Sequence, residues 1–97
     1  MNLKTIRLAQ RDIEQAAAYY RAQQVNLGEE FLSEIDAAIA AISAAPYQFE
    51  QFRPGMRRFL LDRFPYGVYY RMRGDDLIEI IAVKHHSRRP GLGMRRT

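Results

Sequence analysis

Two histidines, His85 and His86, stand side by side near the C-terminus, with Arg88 and Arg89 close behind. Imidazole is the side chain whose proton moves most readily near neutral pH, and guanidinium groups hold anions, so the grouping has parts for proton transfer beside a negative charge. Adjacent histidines on a strand point to opposite faces, and one of them at most serves any single site. One packed and one solvated histidine is the plainer reading. The sequence has no third histidine and no cysteine, which removes a histidine-rich metal cluster, a thiolate metal site and a cysteine nucleophile. Asp75 and Asp76 are adjacent carboxylates, but Arg73-Gly74-Asp75-Asp76 has the composition of a tight turn. The serines lack a nucleophile context, the glycines make no phosphate-cradling loop, and no cofactor is expected.

The arginines are the more informative residues. In Met56–Phe64, MRRFLLDRF, alternation sends Arg57, Phe59 and Leu61 to one side and Met56, Arg58 and Leu60 to the other, so neither side is purely apolar. Two readings stay open: a half-exposed strand kept soluble by arginine, or a strand that faces a ligand. Charge is divided unevenly along the chain. Residues 1–52 hold four bases against seven acids, a net of −3, and residues 53–97 hold eleven against four, a net of +7. A basic half of this kind fits a polyanion or an acidic protein partner. Arg57, Arg58, Arg63, Arg71, His85, Arg88 and Arg89 are the candidate binding residues.

These side chains need elements to position them, and 97 residues suffice for one domain, expected to span 1–97 with a basic tail over about 88–97. Leu3, Ile6 and Leu8 alternate imperfectly in a short first strand. Ile13, Ala16, Ala17 and Tyr20 recur at helical spacing, which predicts a helix over about 10–24. Asn26 and Glu29 have capping-box spacing ahead of Phe31, Ile35, Ile39 and Ile42, a second helix of about five turns that Pro46 stops. Residues 46–55, PYQFEQFRPG, read as a loop with three aromatics. Three strands follow, in MRRFLLDRF, YGVYYRM and LIEIIAVKH, the last two joined as a hairpin. The order β-α-α-β-β-β predicts an α+β domain, a helical hairpin on one face of a mainly antiparallel sheet. The run AAIAAISAA is too short to span a bilayer, and a cytoplasmic protein without a membrane segment is expected.

The phrases GMRRFLLDRFPYGVYY and IIAVKHHSRRP, taken in this order of elements, resemble the RelE/ParE superfamily of toxins from type II toxin-antitoxin pairs. So do the pattern AxxDIxxAxxYY of Ala9 to Tyr20, LGxxFLxEI of Leu27 to Ile35, the Phe64-Pro65-Tyr66 corner, and the terminal His-x-x-Arg-x-Pro. The resemblance covers nearly the whole chain and implies a cognate antitoxin as partner. It also implies one of two activities. RelE-like members cut mRNA on the ribosome without metal, and by this likeness Arg58 and His86 are the candidate catalytic residues. ParE-like members poison DNA gyrase through protein binding. The arginine that follows the motif tyrosine in RelE-like members is Gly67 here, after Tyr66, and Leu92 falls near the place of their C-terminal tyrosine. Metal-free cleavage needs fixed cationic donors, so FPYGVYYR points to the ParE-like branch. The expectation is a gyrase inhibitor rather than an enzyme, with the mRNA interferase as alternative.

Overall fold

Strand pairing at the N-terminus ends sooner than the sequence pattern implies. In a computed structural model that describes residues 1–86, the first strand β1 (Asn2–Thr5) gives way to helix α1 (Arg7–Gln23) through Ile6, an extended residue with no side-chain cap. The expected start at residue 10 is therefore too late. Leu8, counted with the strand, lies on the helix and is exposed. The Ile6 N–H donates to the Ile80 carbonyl as the last tie of the strand, and the Gln10 side-chain Nε2 donates to the Thr5 carbonyl.

Helix α2 (Leu27–Ala44) follows a tight connection at Asn26, whose φ of 73° is left-handed. Asn26 is there for that conformation, which asparagine tolerates, and its side chain makes no cap bond. The capping box is thus corrected. Glu29 pairs with Arg21 of α1 at 3.0 Å instead, and Glu29 and Glu30 place negative charge in the first turn, where the helix dipole favours it. Gly28 lets the helices close up: a Cβ there would lie 2.8 Å from the Ala17 carbonyl oxygen.

The segment read as a loop contains a strand. β2 (Gln51–Arg53) pairs antiparallel with β3 (Met56–Leu60) across Pro54 and Gly55, and Gly55 has a φ of 78°. Proline followed by a positive-φ glycine is the composition of a type II turn, and it folds the aromatic segment back as an edge strand. β3 is shorter than predicted. It stops at Leu60, and the corner beyond is closed by the Leu61 N–H donating to the Tyr66 carbonyl at 2.9 Å. β4 (Tyr66–Arg73) and β5 (Leu77–His85) form the expected hairpin, and the sheet order is β1-β5-β4-β3-β2. Among the described strands only the β1–β5 pair is parallel, and the helical hairpin supplies the connection that returns the chain to the sheet. The fold class is as expected, with one strand added.

The helices cover one face. Phe31, Ile35 and Ile42 of α2 and Ala9 and Ala16 of α1 pack on Val68, Tyr70, Ile78 and Ile80. Alternation puts Tyr69 on the other face, in a smaller cluster with Met56, Ile81 and Ala82. Both Ile81 and Ala82 join it because the register slips there: Tyr69 pairs with Ala82 and Tyr70 with Ile80, a β-bulge.

Candidate partner-binding face

On the face turned away from the helices, a ring of charge surrounds the small apolar cluster. Arg58 of β3 donates from Nε to Glu50 Oε1 at 2.8 Å, and its guanidinium lies 5.9 Å from the centre of the Phe52 ring. The bond to Glu50, with a further one to Tyr69, raises the Arg58 pKa above the ordinary arginine value. Arg53 lies over the same Phe52 ring at 5.5 Å. Further along, Arg71 and Arg73 of β4 hold Glu79 of β5 at 3.0 and 3.1 Å, and Glu79 is buried. The buried Glu79 is thereby paired, as a low-dielectric setting demands, and Glu50 is exposed. What remains is a patch of guanidinium groups with aromatic floor between them.

Gly67 lies on this same face. A Cβ at Gly67 would stand 3.1 Å from Leu60 Cδ2 and 3.2 Å from the Tyr69 ring, so the two side chains already fill the space above it. The position has no side-chain donor and no room for one without movement of Leu60 and Tyr69. Among the described residues, no three histidine, aspartate or glutamate side chains gather as a metal site would require, and no helix is long and apolar enough to cross a membrane.

Residues 4–90 match the family model of the ParE toxin of type II toxin-antitoxin systems, parDE. The chain belongs to the ParE toxin family. The fold of this ParE-family toxin is similar to a solved structure titled "Chromosomal ParDE TA system from P. aeruginosa", with a TM-score of 0.71 and 23% identity over 88% of this chain and 95% of that one. No curated protein matches the chain.

The arginines expected to act together are divided in this ParE-family toxin. Arg57 does not share the face of Arg58: its Nη1 donates to the carbonyls of Phe49 at 2.8 Å and Tyr47 at 3.2 Å, tying down the loop before β2. Arg63 stands at the β3–β4 corner and pairs with Glu30 of α2. Arg71 is on the face of Arg58, bound to Glu79. His85 closes β5 with its ring edge-on to Tyr66, 5.3 Å away, and His86 is exposed with its N–H on the Pro65 carbonyl. Arg88, Arg89 and Leu92 lie outside the described residues. The ladder Arg58–Tyr69–Ala82 puts His86 four residues along and two strands over from Arg58, a backbone separation of about 16 Å from strand spacing and rise. The two candidate catalytic residues are not brought together.

Sequence reasoning missed Arg53 and Arg73 on this face, and missed the acids Glu50 and Glu79 that partner its guanidinium groups. The strand pattern offered a sign for Glu79: a lone acid inside LIEIIAV, paired across the hairpin with Arg71. Nothing offered one for Glu50, whose position depends on the unexpected β2 turn.

Proposed function

We propose that this ParE-family toxin inhibits DNA gyrase by binding the enzyme, and that a cognate antitoxin neutralises it. Family membership over residues 4–90 supports the reading. The observation that carries it against ribonuclease chemistry is the filled space at Gly67. Cleavage of a phosphodiester without metal requires fixed donors around the developing charge, and here Gly67 supplies none while Leu60 and Tyr69 crowd the space a Cβ would enter. The toxin then acts as a wedge or clamp on its target, and no residue needs a catalytic role. Purified toxin added in excess should abolish gyrase supercoiling and accumulate cleaved DNA. Unchanged supercoiling, together with toxin-dependent cuts in translated mRNA that disappear in His86→Ala, would overturn the reading.

The antitoxin segment is acidic and apolar in this proposal, with carboxylates set against Arg58, Arg63 and Arg71. Each of those guanidinium groups already holds an internal acid, so an incoming carboxylate shares or replaces Glu50, Glu30 or Glu79 rather than meeting a bare charge. The electrostatic gain per contact is accordingly small, and apolar anchors such as exposed Leu60 and Tyr47 supply most of the affinity. Charge steers the encounter, and raised salt slows association more than it weakens the finished complex.

A further inference from the structure

A series of rings leads from the core to the surface at the end of α1. Phe31 is fully buried, Tyr66 meets it at 5.3 Å, Tyr20 stands edge-on to Phe64 at 4.8 Å, and Tyr19 stands edge-on to Tyr20 at 5.2 Å. Core packing accounts for the inner rings. It does not account for Tyr19, which is 58% exposed. Tyr19, Tyr20, Tyr66 and His85 line a recess of about 270 Å³. Through Tyr19, Tyr66 and His85 the recess runs into a second hollow of about 240 Å³ beside Gln15 and Lys84, and from there past Arg11 to Leu8. Leu8, Arg11, Gln15 and Tyr19 recur at helical spacing, so the groove follows one side of α1 for about 16 Å.

The two ends differ in chemistry. One is aromatic, and the other carries the cations Arg11 and Lys84. The Lys84 ammonium is fixed at the rim by Asp12, whose Oδ1 accepts from it at 3.2 Å while Oδ2 accepts the Val83 N–H at 3.0 Å. We infer that this groove binds single-stranded nucleic acid, one base lying against Tyr19 and Tyr66 and the neighbouring phosphates lying toward Lys84 and Arg11. A base supplies a π-face to the rings and its backbone supplies charge to the cations, a combination that sequence-tolerant single-strand binding uses repeatedly. A purely apolar peptide would leave the cations without a role and a purely acidic one the rings, and a peptide that is both is the competing occupant that the test below separates.

The inference stands apart from gyrase inhibition, and its test contains no gyrase. Fluorescently labelled oligothymidylate is titrated with the full chain at low salt and read by anisotropy, beside an abasic strand of the same length and charge. The base-bearing strand should bind about tenfold more tightly, within the range that stacking of one base provides. Tyr19→Ala, checked by circular dichroism, should remove that preference, and Tyr19→Phe should keep it. Free thymidine monophosphate should displace the strand only at far higher concentration. Equal binding of the two strands, or a preference that survives Tyr19→Ala, would overturn the inference. So would binding of the free nucleotide as tight as that of the strand, or capture of an aromatic peptide with no strand bound at all.

Discussion

The two faces of the sheet solve the same problem by different means. Toward the helices, β4 and β5 present Val68, Tyr70, Ile78 and Ile80 to Phe31, Ile35 and Ile42, and the one polar group among them, the Tyr70 hydroxyl, donates to the Pro46 carbonyl at 2.6 Å. On the other side a few apolar side chains sit inside a frame of Arg58–Glu50 and Arg71–Glu79–Arg73 pairs. The first face is held by area removed from water, the second by matched charges that remain partly wet. Stability should reside on the first and recognition on the second.

Truncating the helix face tests this most severely. Phe31→Ala removes a ring that touches Tyr20, Phe64 and Tyr66, and the loss should be about 3–5 kcal/mol in urea unfolding. The charged face should give less. Glu79→Ala leaves Arg71 and Arg73 facing each other without their acid, and the expected cost is about 1–3 kcal/mol, moderated because Arg73 is exposed and regains water. A cost equal to that of Phe31→Ala would show that the second face is as structural as the first.

Alkaline pH separates the faces more gently. Burial raises the Tyr70 phenol above its ordinary 10.0, with Arg57 pulling the other way, and burial together with Tyr66 and Tyr19 raises Tyr20. Below pH 10 both phenols are neutral in folded and unfolded chains alike, so their contribution is complete. Above that, the unfolded chain loses its protons first, and stability falls as pH rises toward the folded-state values. Urea midpoints followed from neutral pH to beyond 10 should decline, and Tyr20→Phe should flatten the decline. The smallest effect on folding belongs to Arg58→Ala, at most about 1 kcal/mol. The same change should lower the antitoxin association rate and its dependence on salt, measured by stopped flow. An unchanged rate in the folded variant would show that Arg58 does not steer the partner.

Much of the first face was legible in the sequence, because helical spacing at Phe31, Ile35 and Ile42 and alternation in YGVYY state which side is apolar. The second face was legible only in part. MRRFLLDRF announced that Arg58 and Met56 share a side, yet the Ile81 bulge changes the parity of β5 halfway along, and alternation alone does not reveal a slip in register. Arg57 misled for a related reason. Its charge looked like a binding group, but its partners are the carbonyls of a loop whose path follows from the β2 turn. Pro54-Gly55 was a visible turn signal with too few residues before it to read as a strand.

The place of β5 in the sheet bears on how the toxin comes into being. Among the described strands it is the last to be synthesised, and it lies between the first strand and β4, taking pairs from both while the Val83 N–H binds Asp12 of α1. A ribosome that has released everything up to the hairpin turn has therefore made two edges with no strand to join them. The hydrophobic faces of β4 and α1 must wait for the final tenth or so of the described chain, and loop closure across its full length must precede the reward. Translation interrupted before β5 leaves β1 and β4 unpaired with one another, without the strand that joins the sheet.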